Sequence, residues 1–216
     1  MATGNSGNHR PDKGVKVLEL PPTDRKWQIV QAAAALFIKK GTINTGVRDI
    51  AEASGITVGT LYHYFRSKED IIAAFMDYAV AGTEKFHAES EELLKYTDSL
   101  KALEGTIKSY FKMIEKTQNV ILFWHQETRN LSIELRNRLL DNECVLLSIF
   151  EKILKKGCAE GVFKIENVRL VAHNIIIICD MWSFRRWDLK HFITAEDYLK
   201  EQTEFLLHGI YCGTLG

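Results

Sequence analysis

Proline is nearly absent from this chain. Its three prolines all fall within the first 22 residues, so the rest lacks the ring that breaks a helix. No apolar stretch approaches the roughly 20 residues that a membrane-spanning helix needs; the most apolar run is residues 175–179. The N-terminus has no apolar segment of the kind that marks a secretory signal. These absences point to a soluble, cytoplasmic protein with no membrane partner. Net charge is missing too: 28 basic residues balance 28 acidic ones. That argues against a broadly basic nucleic-acid coat and leaves room for a local basic surface. The four cysteines, Cys144, Cys158, Cys179 and Cys212, form no CxxC pair, and no Cys/His cluster has zinc-ligand spacing. They read as buried thiols of a reducing compartment, and no metal site is expected. The GxSxG, HExxH, GxGxxG and GxxxxGK[ST] patterns are all missing, and His87, His173 and His191 have no partner at ligand spacing. No catalytic residue, no cofactor and no enzyme activity are expected.

What is there is helical periodicity. Residues 1–22 are rich in Gly, Asn and Pro and read as a flexible tail. Its Arg10, Lys13 and Lys16 are candidates for reaching DNA phosphates, although a solvated tail with no role is the plainer reading. Thr23 or Asp24 caps a first helix with Ile29, Ala33, Leu36 and Phe37 on one face, and Gly41 stops it after Lys39 and Lys40. Ser67 opens another helix, with Asp70 reaching back in a variant of the capping box, and this helix is expected to run into the high 80s. Further apolar stripes cover residues 98–114, 132–156, 167–187 and 195–208, with a short, very apolar segment at 120–126 and breaks at Gly157 and Gly161. The expectation is an all-α fold of about nine helices, with no clean strand and no internal repeat.

Residues 45–70 are the most informative stretch. Ala51, Gly55 and Leu61 sit where a helix-turn-helix needs a small residue at a close crossing, a turn residue and a core residue. The two helices are expected at about residues 47–54 and 58–64. Leu61 and Phe65 would pin the second one, leaving Thr57, Val58, Thr60 and His63 toward a major groove. Thr45 and Arg48 at the start of the first helix, the Tyr62 hydroxyl and Lys68 at the start of the next one suit phosphate contacts. Two short helices around a glycine also occur in helical proteins that never touch DNA.

The longer string narrows the choice. IAEASGITVGT followed by LYHYFRSKEDI closely resembles the TetR family of bacterial transcriptional regulators. The matching residues are Ile50, Ala51, Ala53, Gly55, Ile56, Gly59, Thr60, Leu61, Tyr62, Tyr64, Phe65, Lys68 and Glu69. After the tail at 1–22, the resemblance implies a three-helix DNA-binding domain at 23–70 and a helical ligand-binding and dimerisation domain at 71–216. It also implies a homodimer on a pseudo-palindromic double-stranded operator, relieved by a small-molecule effector. Carried over residue by residue, it makes Arg48, Thr57, Gly59, Thr60, Tyr62, His63 and Lys68 the DNA contacts. Two positions depart from the pattern. Gly46 stands where a hydroxyl residue is common, with Thr45 as a replacement donor, and Val58 stands where a polar side chain is common, leaving an apolar contact to a thymine methyl.

Beyond residue 90 the resemblance covers fold rather than detail. It implies that the last two long helices form a four-helix bundle with their copies, and the excess of apolar positions at 175–181 agrees. Three features are pocket candidates: Trp124 and His125 with Arg129; Trp182 with Arg185 and Arg186; and Asn174 on an apolar helix. Each has a plain alternative, as core aromatics, a satisfied histidine or cations at a helix C-terminus. The sharper reading is an aromatic-walled pocket with cations at its mouth, suited to an amphipathic anion. The WxxRRW segment resembles family members that sense acyl-CoA thioesters. A protein–protein adaptor and an activator of the same fold are the competing functions. In a dimer, two recognition helices must lie about 34–36 Å apart or a multiple of that, so an effector that tilts the helix joining the domains would change the grip on DNA.

Overall fold

The computed structural model describes residues 25–213, the side chains at 78–79 and 117–120 excepted. The tail and the expected cap at Thr23 or Asp24 lie outside the described residues. Among the described residues, eight α-helices and one 3-10 turn follow in order: α1 Arg25–Lys40, α2 Val47–Ala53, α3 Val58–Tyr64, α4 Lys68–Tyr96, α5 Ser99–Glu127, the turn Thr128–Asn130, α6 Ile133–Ala159, α7 Val168–Leu189 and α8 Ala195–Ile210. Among the described residues the only sheet-like pairing is an isolated antiparallel bridge between Phe163 and Tyr211. The all-helical expectation holds.

The helix ends are set locally. Ser67 Oγ accepts from the Asp70 amide at 3.1 Å, and Asp70 Oδ2 accepts from the Ser67 amide at 3.2 Å, the reciprocal cap read from the sequence. Asp98, Ser132, Asn167 and Thr194 each accept from an amide three residues on. Two helices are longer than their patterns suggested. α4 runs to Tyr96. Residues 120–126 are no separate segment: they complete α5, a 29-residue helix with no internal proline. Gly157 does not break α6. It lies inside that helix, where a Cβ would come within 2.2 Å of the Phe163 ring, so the glycine makes room for that ring as the chain folds back. The break comes at Gly161, in the left-handed region at φ 71°.

Two buried clusters result. One holds α1–α3 together through Ile29, Phe37, Ile50, Leu61 and Phe65, and it takes in Phe75 of α4, Phe123 and Trp124 of α5 and Leu135 of α6. The other lies among α4–α8, around Tyr110, Phe150, Ile175 and Trp182. α5 contributes to both, and it packs against α1, α4, α6, α7 and α8. The cysteines are not uniformly buried: Cys179 is, Cys158 is half-buried, and Cys144 and Cys212 are exposed. Among the described residues no helix is long and apolar enough to cross a membrane.

Candidate nucleic-acid interface and effector cavity

The helix-turn-helix is closed by side chains from outside it. Gly55 takes φ 63° at the turn. Arg25 of α1 donates to the Ser54 and Gly55 carbonyls at 3.1 and 3.4 Å, satisfying acceptors left free at the end of α2. Ile50, Ala51 and Leu61 are buried beneath. Thr57 caps α3, its Oγ1 accepting from the Thr60 amide at 3.1 Å. Thr57, Gly59, Thr60, Tyr62 and His63 are exposed on α3, and Arg48 is exposed at the start of α2.

Three expected contacts sit otherwise. Thr45 is buried, and its hydroxyl donates to the Gly41 carbonyl at 2.7 Å. It therefore does not replace the hydroxyl that Gly46 lacks. The Lys68 ammonium is part-buried and donates to the Thr42 and Thr45 carbonyls at 2.6 and 3.3 Å. It braces the loop between α1 and α2 rather than projecting to a phosphate. Val58 is half-buried against the N-terminal core. At Gly46 the amide is held by Asp49 Oδ2 at 2.8 Å, and Lys40 pairs with the same oxygen at 2.8 Å. The hydrogen bond from Lys40, then the one from the Gly46 amide, hold the Asp49 carboxyl below its ordinary value.

The same loop is tied to the far end of α5. Glu127 is buried there, and its Oε2 accepts from the Thr42 amide at 3.1 Å, from the Thr42 hydroxyl and from Asn130 Nδ2 at 3.2 Å. Burial raises the Glu127 carboxyl, but the bonds from the Thr42 side chain, Asn130 and the Thr42 amide, with the Lys68 charge, outweigh it and leave the carboxyl below its ordinary value. Gly41, at φ 80°, admits this approach: a Cβ there would lie 3.1 Å from Glu127 Oε1.

Three residues before Glu127, Trp124 lines a cavity of about 360 Å³ between α4, α5 and α6. Its apolar walls are Phe86, Met113, Ile121, Trp124, Leu139 and Leu146. Lys85, Lys112 and Lys116 line it as exposed residues, and Lys85 pairs with Glu89, also on the lining, at 4.0 Å. Trp124 also stacks on Phe75 of α4 at 5.3 Å. Beside the cavity the Tyr110 hydroxyl donates to Asp180 Oδ1 at 3.1 Å. Burial, then the nearby Glu143 charge, push the Asp180 carboxyl up to about 7, and burial raises the Glu143 carboxyl as well.

Of the seven expected effector residues, only Trp124 lines this cavity. His125 is exposed and sets its ring edge-on to Phe184 at 4.6 Å. Arg129 is exposed in the 3-10 turn. Trp182 is core, packed on Tyr198 at 5.3 Å and Phe111 at 6.1 Å. Arg185 stacks on the exposed Trp187 at 5.0 Å, and Arg186 is exposed beside it. Asn174 is exposed in a stripe with Leu170, Ile177 and Met181 along α7. The lysines, Asn142 and Glu143 were missed. Their signal was a polar pair set between Leu139 and Leu146 on a stripe that otherwise reads as core.

A helix-turn-helix head fixed to a helical body with its own cavity defines a ligand-responsive DNA-binding regulator. The family model described as bacterial regulatory proteins, tetR family, matches residues 29–75, and the one described as tetracyclin repressor-like, C-terminal domain, matches residues 97–210. The chain belongs to the TetR family and is a DNA-binding transcriptional regulator. The transcriptional repressor KstR2 of Mycolicibacterium smegmatis is 30% identical over 154 residues, 66% of this chain and 69% of that protein. The structure of the ketosteroid regulator KstR2 of Mycobacterium tuberculosis aligns at TM-score 0.74 with 25% identity, over 89% of this chain and 98% of that one. FadR from Bacillus subtilis, in complex with stearoyl-CoA, aligns at TM-score 0.67 with 24% identity over 86% and 99% of the two chains, a likeness of fold alone.

Proposed function

We propose that this regulator is a cytoplasmic homodimeric repressor that leaves a pseudo-palindromic operator when an acyl-CoA thioester, or a related amphipathic anion, fills the cavity among α4, α5 and α6. The observation that supports this most is the cavity's composition. Its volume of about 360 Å³ falls within the range of about 300–1,000 Å³ usual for small-molecule sites. Apolar walls suit an acyl group, and the Lys85, Lys112 and Lys116 ammonium groups suit the phosphates of a coenzyme A left outside. That a FadR of this fold holds stearoyl-CoA agrees with it.

Arg48, Thr57, Gly59, Thr60, Tyr62 and His63 are the proposed DNA contacts. Leu170, Asn174, Ile177 and Met181 recur at helical spacing and lie exposed on one face of α7, where a second copy would cover them. Asn174 then serves the register of that pairing and not the effector. The boundary between head and body falls in α4, with Glu127 as the second tie between them.

Operator duplexes recovered by selection from random sequence supply the test. Fluorescence anisotropy of the dimer on such a duplex is followed while acyl-CoAs of graded length are added. Release at micromolar concentration by some members is expected. If no member releases DNA while the dimer stays folded, the effector reading is wrong.

A further inference from the structure

The cavity is not lined for a plain hydrocarbon. Asn142 and Glu143 stand side by side on α6, between Leu139 and Leu146, and all four line it. Neither Asn142 nor Glu143 makes a hydrogen bond or an ion pair with another described residue. The Tyr110 hydroxyl, which also lines the cavity, is already given to Asp180 at 3.1 Å. The Glu143 charge raises the nearby Asp180 carboxyl, so the two carboxyls oppose each other and do not pair. The Trp124 indole N–H, also on the cavity wall, is buried with no acceptor among the described residues. A saturated chain laid against Asn142 and Glu143 would take away their water and return no hydrogen bond.

We propose that the effector's acyl group carries a hydroxyl, donated to the Glu143 carboxyl and seated beside Asn142; this rests on the acyl-CoA reading of the cavity. A hydroxyl supplies the donor that Glu143 lacks, and its oxygen accepts in turn from the Asn142 amide. A cationic group would also satisfy Glu143, but Lys85, Lys112 and Lys116 line the same space and repel it. Glu143 thus acts as a specificity residue. A site built to bond a hydroxyl discriminates against the analogue that lacks it far more strongly than an apolar wall discriminates against an added methylene.

The test is calorimetric titration of the full-length dimer with matched thioesters: octanoyl-CoA against its terminally hydroxylated counterpart, and cyclohexanecarbonyl-CoA against its ring-hydroxylated one. In at least one pair the hydroxylated member is expected to bind about tenfold tighter or more. In Glu143→Leu that preference is expected to vanish or invert. Glu143→Gln, which keeps an acceptor and a similar shape, is expected to retain part of it and guards against misfolding of the leucine variant. Equal binding within every pair, or a preference that survives in a folded Glu143→Leu, overturns the hydroxyl while leaving the acyl-CoA reading intact. If no thioester of either kind binds, the acyl-CoA reading falls and the hydroxyl falls with it.

Discussion

Replacing Glu127 tests whether the body of this regulator holds its DNA-binding head through the loop at residues 41–45. The Thr42 amide is buried, and Glu127 Oε2 is its acceptor at 3.1 Å. Alanine removes that acceptor together with those of the Thr42 hydroxyl and Asn130. A hydrogen bond to a charged group contributes about 1.5–3 kcal/mol. Taking about 2 kcal/mol for the net loss, the loop should open about 30-fold more often, since 1.4 kcal/mol is tenfold. Native-state hydrogen exchange reads this directly at the Thr42 amide. Glu127→Gln keeps an acceptor but loses the charge, and neutral bonds are about half as strong, so about fivefold is expected there. The acceleration should stay local to the loop. An exchange rate within twofold of wild type in Glu127→Ala, or an equal acceleration throughout α1 and α2, would refute the reasoning. If coupling between the proposed effector site and the head passes through this contact, the functional counterpart is a smaller effector-induced change in operator affinity with effector binding kept.

Two further substitutions separate roles that side-chain type alone confuses. Arg48→Ala is expected to weaken binding across all duplexes and to lower the salt slope by about one ion, whereas Lys68→Ala should leave the slope unchanged and lower the melting temperature, since its ammonium is bonded to Thr42 and Thr45; a salt slope lowered equally by both would show that Lys68 reaches phosphate. Asp180 predicts a pH dependence of opposite sign to that of a paired carboxylate. Its folded value of about 7 lies above the ordinary 3.8, so the unfolded chain releases the proton first and stability falls as pH rises between those values. Asp180→Asn, which still accepts from Tyr110, should melt several degrees higher than wild type at pH 8 with a much smaller gain near pH 4; thermal melts with the same pH slope in both proteins would count against it.

The head was legible in the sequence because its signals are local. Ser67 and Asp70 meet within one turn, Thr57 caps its own helix, and Gly55 needs only its own backbone freedom. Thr45 and Lys68 were misplaced because their partners are set by how the loop at 41–45 folds back, and that fold depends on Glu127, 85 residues from Thr42. The cavity was missed for the same kind of reason. Conspicuous clusters such as FWHQE and WSFRRW lie at the ends of α5 and α7, where one helix alone makes them stand out, and of these only Trp124 reaches the cavity, which three helices line together. No single segment carries that signal. Tyr110, Leu139 and Leu146 look like any core stripe until α4, α5 and α6 are placed together.

The continuity of α5 changes how the effector signal must travel. Had residues 120–126 been a separate segment, a hinge would have stood between the cavity wall and the head. Instead Ser99–Glu127 is one helix of 29 residues, about 43 Å long at 1.5 Å per residue. Tyr110, Met113, Ile121 and Trp124 on this helix meet the cavity, and Glu127, less than one turn past Trp124, holds Thr42. Within one turn the i→i−4 hydrogen bonds leave little freedom to absorb a displacement without a kink, and kinks need a proline, an inserted side chain or a bulge. α5 has no proline among these residues. A ligand that displaces Trp124 therefore displaces Glu127 with it. Trp124 also stacks on Phe75, so the same ligand presses on α4, whose first residue, Lys68, donates to the Thr42 carbonyl in the same loop. On the proposed effector reading, Glu127 and Lys68, from two helices that line the cavity, both bond Thr42, so the loop at 41–45, more than the tilt of α4 alone, is where occupancy would be converted into a change in the spacing of the recognition helices.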